Sequence, residues 1–365
     1  MKSDPNPFPR AFPLALCLAA ALLAGCTVIG PKAISTGRLA YNKAIAETNN
    51  QQMLMVLVQN RYEEQGNMLA VASVTANVSV KSSAGFQAGF GGESSYQGNL
   101  VPISGGVVYE ENPTISYTPV EGESYLRQLT QPLPISMLAQ ISRTMIDPES
   151  VFLALVSSVN GVYNHDFVFN EKDTEPRFER FAAIMGELTQ AHRLHWVETP
   201  DLPEKFSIVI DQTAPMHAEL VAELLDSVGL SRLRSDAPQL VIPVTLSLNG
   251  TQQGTLGITT RSILNMVEIL SARMEVPQRD IDDGVVTRYP TVGTLGQKLT
   301  VHYSLEEPER AYVAVRHREG WFYIDERDGD TKRYFKLLSS LWSLAVASST
   351  ANGPAAPVLT VPVSN

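Results

Sequence analysis

Cysteine is nearly absent from this sequence, whose 365 residues include only Cys17 and Cys26. Both lie near the N-terminus, Cys17 inside an apolar run and Cys26 directly after it. If the segment up to Gly25 is removed and Cys26 is modified, the remaining chain has no free thiol and forms no disulfide. The sequence therefore excludes a cysteine nucleophile and a thiolate metal site, and the fold depends on its hydrophobic core.

Long apolar runs and an excess of positive charge are also missing. The apolar core Leu14 to Leu23 is shorter than the about 20 residues that a transmembrane helix needs, and no other segment approaches that length. Lysine and arginine number 28 against 38 aspartates and glutamates, a net charge of −10. This balance disfavours nucleic acids and anionic headgroups as electrostatic partners.

The sequence motifs of common enzyme classes are absent as well. There is no G-x-S-x-G or S-x-x-K around a serine nucleophile and no H-E-x-x-H for zinc, and GFGGESS lacks the lysine of a phosphate-binding loop. The segment GTLGITT, residues 254–260, is interpreted as a turn opening a helix, whose N-terminus can hold an anion. We predict no catalytic residue, no metal site and no cofactor, although a serine triad built from distant residues stays open.

A pair of histidines is the first of two weak metal candidates. His192 and His195 are three residues apart in AHRLHW, a spacing that on one helix face can bind zinc together with a distant carboxylate. Residues 196–199 look extended, however, so the pair is expected to straddle a helix end. There His192 is favoured by the helix dipole rather than by a metal.

The acidic segment DERDGD is the second. It brings Asp325, Asp328 and Asp330 close together in sequence but misses the spacing of a calcium-binding loop. We interpret it as a polar turn in which Asp330 or Thr331 caps the last helix.

The N-terminal segment has the pattern of a secretory signal peptide. Lys2 and Arg10 precede the apolar run, and small residues end it. A buried N-terminal helix is disfavoured because prolines at residues 5–13 would each disrupt a regular helix.

The last four residues of this segment, Leu-Ala-Gly-Cys, resemble the lipobox of bacterial lipoproteins. The resemblance implies cleavage after Gly25 and acylation of Cys26, which would anchor the chain in a membrane by lipid. Because Thr27 and not aspartate follows the cysteine, it also implies sorting to the outer membrane. The alternative is a soluble export signal in which Cys26 occurs by chance.

Composition and periodicity divide the chain into predicted regions. These are a signal peptide, 1–25; a lipidated tether, 26–37; an N-terminal α+β region, 38–169, with a Gly/Ser-rich loop at 82–100; a polar linker, 170–176; a C-terminal α+β region, 177–348; and a disordered tail, 349–365. The fold class is α+β, with α/β as the alternative. Mixed or antiparallel sheets would be covered by amphipathic helices in two subdomains.

Individual elements follow from hydrophobic periods of 3.6 and 2. Helices are predicted at about 38–64, interrupted near residues 49–50, and at 147–162, 177–192, 215–228, 258–274 and 331–347; strands are predicted at 69–81, 106–110, 114–118, 205–211, 239–248, 299–305 and in a hairpin over 311–325. Asp147 and Pro148 form a typical helix start. Pro119 predicts a turn, and Pro243 predicts an edge strand or a bulge.

The Gly/Ser-rich loop has two interpretations. Its aromatic residues Phe86, Phe90 and Tyr96 can form a flexible contact arm that docks onto a partner. The alternative is a mobile loop without a binding role. Deletion of residues 84–98 distinguishes them, because a contact arm is needed for capture of the partner but not for stability.

Four longer stretches resemble a family of uncharacterised proteobacterial lipoproteins. They are YNKAIAETNNQQMLMVLVQNRYEE, ENPTISYTPVEGESYLRQLTQPLP, TRSILNMVEILSARMEVP and GWFYIDERDGDTKRYFKLLSSLWSL. The chain departs from that family at Asn60, at Gln65 and in the Gly-rich loop. The resemblance supports lipid anchoring and implies no activity. Structural roles alone are assigned to its notable residues, Tyr117, Pro119, Gly122, Arg261, Asp325 and Lys332.

These patterns together favour a lipid-anchored outer-membrane protein that faces the periplasm. Its expected role is non-enzymatic, as a binding or assembly component of the cell envelope with an envelope protein as partner and no nucleic acid. The alternatives are an envelope hydrolase or a ligand carrier whose site is not readable from the sequence. The oligomeric state is left open.

Overall fold

The computed structural model of the chain contains both helices and strands. It describes residues 29–64, 66, 68–75, 78–86, 103–111, 114–120, 123–145, 147–164, 176–198, 205–247, 253–289, 298–352 and 359–362. The chain divides into two units, residues 1–51 and 52–365. In the first unit the described residues all belong to one helix, and the sheets lie in the second.

The helices, numbered in chain order, are α1 Ile29–Arg61, α2 Glu123–Thr130, α3 Ile135–Thr144, α4 Pro148–Leu155, α5 Arg177–Gln190, α6 Pro215–Ser227, α7 Ile263–Ala272, α8 Gln278–Asp282 and α9 Gly329–Asn352. The strands are β1 Met68–Thr75, β2 Val78–Phe86, β3 Ile103–Glu111, β4 Thr114–Val120, β5 Val156–Val159, β6 Val162–Tyr163, β7 Leu194–Glu198, β8 Phe206–Asp211, β9 Gln239–Leu246, β10 Leu256–Thr260, β11 His302–Ser304, β12 Ala311–His317, β13 Gly320–Asp325 and β14 Leu359–Pro362.

A six-stranded mixed sheet is the largest of the sheets in these ranges. Its strand order is β6-β5-β10-β9-β8-β7, with β10 parallel to β9 and the other pairs antiparallel. Smaller antiparallel sheets are formed by β1-β4-β14, by β11-β13-β12 and by β2-β3. The α+β prediction is confirmed, and so is the hairpin predicted over 311–325.

The predicted linker at 170–176 does not separate two sheets. Strands β5 and β6 precede it, β7 to β10 follow it, and all six belong to one sheet. The polar composition of a segment indicates that it is an exposed connection. It does not reveal whether the strands before and after it pair with each other, because strand pairing joins residues far apart in the sequence. The sequence left open whether the two halves of the chain share one sheet, and the six-stranded sheet takes strands from both.

Helices α4 and α5 pack together and bury three phenylalanines. Asp147 caps α4 as predicted, accepting a hydrogen bond from Ser150 N at 3.3 Å. The Phe181 ring lies 6.1 Å from that of Phe152 and 5.8 Å from that of Phe178, in tilted and edge-on arrangements. All three side chains are fully buried, so they anchor both helices in the core.

Gly186 allows this close packing. A Cβ atom on Gly186 would lie 2.9 Å from Glu149 Cβ and 3.0 Å from Glu149 N. Both distances are shorter than a normal carbon contact, and the backbone of α4 cannot move aside as a flexible side chain could. The absence of a side chain at this position therefore fixes the spacing of α4 and α5.

Replacing Gly186 by alanine is expected to lower the free energy of unfolding by about 1–3 kcal/mol, as for overpacked cores. At an uncrowded position inside a helix, replacing glycine by alanine instead stabilises the protein by about 1 kcal/mol. The sign of the change in the free energy of unfolding therefore tests whether α4 and α5 pack closely at Gly186. Urea unfolding measures this change. The matched control is Glu187→Ala on the exposed side of the same helix, expected to change stability by less than about 0.5 kcal/mol. A variant as stable as the wild type would contradict the close approach.

Several predicted boundaries differ from the structure at the ends of the chain. Residues 29–37, predicted as a tether, belong to α1, which continues without a break through residues 49–50. In the predicted tail, α9 extends to residue 352 and β14 pairs with β4. The C-terminal segment is rich in Pro and Ala, a composition typical of disordered segments. Residues 349–352 and 359–362 nevertheless belong to a helix and a strand.

Strand boundaries in the first half differ in a similar way. Residues 69–81 were predicted as one strand but form β1 and the start of β2, which takes residues 82–86 from the predicted loop. The turn predicted at Pro119 is wrong, because β4 runs through it to Val120. Residues 147–162 were predicted as helical throughout, but β-branched Val156 and Val159 belong to β5.

The largest difference concerns GTLGITT. It forms β10 in the interior of the six-stranded sheet, and helix α7 begins only at Ile263. Ser262 caps α7, its hydroxyl accepting a hydrogen bond from Asn265 N at 3.1 Å. The interpretation of GTLGITT as a turn that opens a helix is therefore wrong, because residues 256–260 form a strand that pairs with β5 and β9.

Pro243 lies inside β9 rather than at an edge of the whole sheet. Its missing N–H is tolerated because pairing with β10 begins one residue later, at Val244. At Pro243 the strand is therefore an edge locally, with β8 as its paired neighbour.

Candidate functional site

The two faces of the six-stranded sheet differ in burial. Along β9 the side chains of Leu240, Ile242 and Val244 are buried, whereas Val241 and Pro243 between them are exposed. Successive side chains of a strand point to opposite faces. The inner face therefore belongs to the core, and the opposite face, here called the outer face, meets solvent.

Strand register places the residues of the outer face in rows across the sheet. Val209 lies opposite both Val241 and His195. Ser207 lies opposite Pro243 and Val197 in the next row. On the far side of the sheet Ser158 lies opposite both Thr259 and Tyr163, and Thr245 lies opposite Gly257.

Apolar groups on this face are strongly exposed. The exposed fraction is 55% for Val241, 44% for Val197 and 64% for Tyr163. Apart from the ends of the strands, the rows contain Val, Pro, Ser, Thr, Tyr, His and Gly but no Asp, Glu, Lys or Arg. Depletion of charge with exposed apolar and aromatic groups is typical of the core of a protein–protein interface.

A charged pair, Arg193 and Asp211, stands at one end of β7 and β8. Asp211 accepts hydrogen bonds from Thr213 N at 3.0 Å and from Arg193 Nη1 at 2.6 Å. Bonds from the Thr213 backbone and hydroxyl, followed by Arg193, lower the pKa of Asp211 to about 2. The carboxylate therefore stays ionised at neutral pH, at the border of the outer face.

A second polar constellation joins the end of α1 to α8 and to the β12–β13 turn. The buried Tyr62 hydroxyl donates a hydrogen bond to Asp280 Oδ2 at 2.7 Å. Arg318 lies over the Tyr62 ring, with Cζ 4.3 Å from the ring centroid, and donates to Glu64 Oε1 at 2.9 Å. His317 Nε2 lies 3.4 Å from Glu64 Oε2. These five residues are the Tyr62 cluster.

Burial keeps the phenol of Tyr62 in its protonated form. Desolvation, with the hydrogen bond to Asp280, raises the pKa of Tyr62 well above its usual value. The hydroxyl therefore remains a donor at neutral pH and satisfies the buried Asp280 carboxylate. The hydrogen bonds from Tyr62 to Asp280 and from Arg318 to Glu64 connect the end of α1 to α8 and to the β12–β13 turn. His317 Nε2 is buried and forms no hydrogen bond among the described residues.

The predicted site residues fall mostly outside the described residues. This is so for Gly25, Cys26 and Thr27 at the lipobox and for Phe90 and Tyr96 in the loop. Phe86 is the last residue of β2, whose backbone pairs with Ile103 of β3. Lipidation, sorting and the contact arm therefore stay predictions.

Neither of the two weak metal candidates, the His192 and His195 pair and the DERDGD segment, forms a metal-binding group among the described residues. His192 occupies a turn with φ 55° after α5, and His195 lies in β7. In the ranges that the structure describes, no three His, Cys, Asp or Glu residues form a metal-binding group. Asp328, and not Asp330 or Thr331, accepts the capping hydrogen bond of α9, from Thr331 N at 2.9 Å.

Residues of the family-like stretches also take structural positions. Arg261 is buried, and its Nη1 donates to Leu153 O at 3.2 Å. Lys332 Nζ donates to Glu326 Oε1 at 2.6 Å. The others lie in or beside strands or outside the described residues: Tyr117 and Pro119 in β4, Asp325 at the end of β13, and Gly122 beyond the described ranges.

No protein-family model, no curated protein and no solved structure matches this chain. The resemblance of four stretches to proteobacterial lipoproteins therefore stays a prediction. Among the described helices, none is both long and apolar enough to cross a membrane.

Proposed function

We propose that the chain is a lipid-anchored outer-membrane lipoprotein facing the periplasm. The support is the apolar run ending in Leu-Ala-Gly-Cys, with Cys26 as the acylated residue and Thr27 at the sorting position. Two or three acyl chains at about 0.8 kcal/mol per buried CH₂ would hold a folded body at the membrane durably.

At the membrane the protein acts as a binding or assembly component, without catalysis of its own. The observation that carries this role is the outer face of the six-stranded sheet, which combines exposed Val197, Val241 and Pro243 with an absence of charge along its interior rows. The partner is an envelope protein with a matching apolar surface, because a nucleic acid or an anionic headgroup would need basic residues that this face does not carry.

Site-specific photocrosslinking in intact cells tests this surface. A photoreactive residue at Val197 or at Val241 is expected to crosslink the same protein, because the two positions lie in neighbouring rows of one face. Leu305, with an exposed fraction of 71%, is the matched apolar control outside this sheet and is expected to give no such product. Reciprocal purification of the partner must recover this chain.

Charge insertion completes the test. Val241→Arg is expected to reduce the crosslink formed at Val197 at least tenfold, because an unpaired charge at an interface is costly to bury. The control Leu305→Arg is expected to leave it unchanged. Equal crosslinking of Val241 and Leu305, or capture that survives Val241→Arg, would overturn the assignment of the outer face. Loss of capture only when Phe90 and Tyr96 are changed would assign the contact to the Gly-rich loop instead.

A further inference from the structure

The three-stranded sheet β11-β13-β12 has one face of buried side chains and one face of aromatic and polar side chains. In β13 the side chains of Phe322 and Ile324 are fully buried, and they alternate with those of Trp321 and Tyr323, which are half-buried. Successive side chains of a strand point to opposite faces. Trp321 and Tyr323 therefore lie on one face, here called the aromatic face, about 7 Å apart along the strand.

Strand register adds polar side chains on both sides of these two rings. Ser304 of β11 and Arg316 of β12 both lie directly opposite Trp321. His302 of β11 lies opposite Tyr323. Directly opposed residues of an antiparallel pair share a face, with Cβ atoms about 5 Å apart. The aromatic face therefore offers two flat rings with hydrogen-bonding groups beside them.

Glu275 holds His302 at the border of the aromatic face. Its Oε1 lies 3.2 Å from His302 Nδ1, and its Oε2 accepts a hydrogen bond from Tyr303 N at 3.1 Å. An ionised carboxylate only accepts, so this pairing assigns a proton to Nδ1 and leaves Nε2 of the neutral ring as an acceptor. The His302 ring lies 5.3 Å from that of Tyr323 at an angle of 34°, and it extends the flat surface.

Arg316 contributes a positive charge that no residue of this sheet neutralises. Its side chain is exposed and forms no hydrogen bond or ion pair among the described residues. Both oxygens of Glu275, by contrast, are engaged by His302 and Tyr303. An exposed arginine alone is ordinary, but this one lies directly opposite Trp321. Its planar guanidinium can bind the carboxylate of a ligand that rests on the indole, through two parallel hydrogen bonds.

We propose that the aromatic face binds a glycan whose sugars carry carboxylates. A sugar ring stacks its C–H groups on the electron-rich face of an aromatic ring and presents its hydroxyl groups around the edge. Trp321 and Tyr323 stack two successive sugars. Ser304 and His302 bind their hydroxyl groups, and Arg316 pairs with the carboxylate.

The aromatic face differs in chemistry from the outer face of the six-stranded sheet. The outer face combines aliphatic side chains with a lack of charge, which suits a protein partner. The aromatic face instead places a cation and hydrogen-bonding groups beside flat rings. The choice of glycan rests on the proposed location, because the periplasm contains the cell wall, whose glycan strands have carboxylates on alternate sugars once their peptides are removed.

Fluorescence titration of the purified full-length protein tests the proposal. The probe is a soluble cell-wall glycan strand without its peptides, and the control ligand is a chitin oligomer of similar length, which has N-acetylated sugars but no carboxylate. Trp196 and Trp342 are buried whereas Trp321 is half-buried, so stacking on Trp321 is expected to shift the emission to shorter wavelength. Chitin is expected to bind about tenfold more weakly, because the charge-assisted pair is missing.

Matched variants separate the charge from the rings. Arg316→Met is expected to weaken binding of the cell-wall strand about tenfold and to leave binding of chitin unchanged. Its control is Arg232→Met, at an exposed arginine outside this sheet. Tyr323→Ala is expected to weaken binding of both ligands about tenfold, because stacking is lost. Its control is Tyr163→Ala, at an exposed tyrosine of β6. Both controls should bind like the wild type.

Arg316 is exposed, so its variant keeps the test valid if a ring variant fails to fold, as judged by circular dichroism. Trp321→Phe keeps a ring and should bind the strand by calorimetry while losing the fluorescence shift. The proposal is overturned if the wild type binds neither glycan or binds both equally, or if folded Arg316→Met or Tyr323→Ala binds as tightly as the wild type. Such failure would leave the proposed function intact, because lipidation of Cys26 and crosslinking at Val241 are measured independently.

Discussion

Replacing Cys26 by alanine is expected to abolish incorporation of labelled palmitate and to move the protein from the membrane fraction to the soluble fraction. The physical reason is that the acyl chains alone would hold the folded body at the bilayer, at about 0.8 kcal/mol per buried CH₂. Labelling in growing cells, followed by fractionation and an alkaline wash, measures both effects. The wild-type label should co-fractionate with outer-membrane markers.

Cys17→Ala is the matched control for this experiment. Cys17 lies inside the apolar run, so its replacement should leave the signal functional and the palmitate label intact. Label that persists in the Cys26→Ala protein, or that is lost in both variants, would contradict acylation at Cys26. A label that disappears while the protein still sediments with membranes would show that another part of the chain is the anchor.

Periodic helices with one apolar face could be predicted from the sequence alone. The predicted helix 215–228 is observed as Pro215–Ser227, and 177–192 as Arg177–Gln190. These segments have a period of 3.6 over three or more turns, so a shift of one residue would misplace the whole apolar stripe. The start of α4 was also predictable, because Asp147 and Pro148 are a local signal.

Short strands inside the sheet could not be predicted in the same way. Strand β10 has five residues, and its Gly257 together with flanking Gly254 resembled a turn. Its stability comes from pairing with β9 and with β5, about 100 residues earlier in the chain. Such pairing depends on tertiary context rather than on local preference.

The sequence could not predict which side of the six-stranded sheet is exposed, for a related reason. In β9, inner Leu240 and Ile242 alternate with outer Val241 and Pro243, so both faces are apolar and no alternation of polarity separates them. Only the position of the sheet against its helices reveals which side is open.

Replacing Tyr62 by alanine is expected to lower the free energy of unfolding by about 3–5 kcal/mol, the usual cost of removing a buried aromatic ring. The ring lies 5.2 Å from that of His317 and 6.0 Å from that of Phe322, and Arg318 covers its face. Its loss would open a cavity between α1 and the β12–β13 hairpin. Urea unfolding followed by circular dichroism measures the change.

Tyr62→Phe separates the hydrogen bond from the packing. It keeps the ring contacts and removes only the donor to Asp280, whose side chain is then left with Arg279 Nε 3.8 Å away. The expected loss is about 1–3 kcal/mol, the cost of an unsatisfied buried group. Because the two residues interact directly, Asp280→Ala should cost less in the Tyr62→Phe background than alone, by about 0.5–3 kcal/mol.

Tyr163→Phe is the control, because that hydroxyl belongs to an exposed side chain and its removal should change stability by less than about 0.5 kcal/mol. If Tyr62→Phe costs as much as Tyr62→Ala, the bond to Asp280 and not the ring holds the three elements together. If neither variant loses more than about 1 kcal/mol, the Tyr62 cluster does not connect α1 to the hairpin energetically. A graded loss, smaller for phenylalanine than for alanine, identifies Tyr62 as the residue that joins α1, α8 and the hairpin by packing and by hydrogen bonding together.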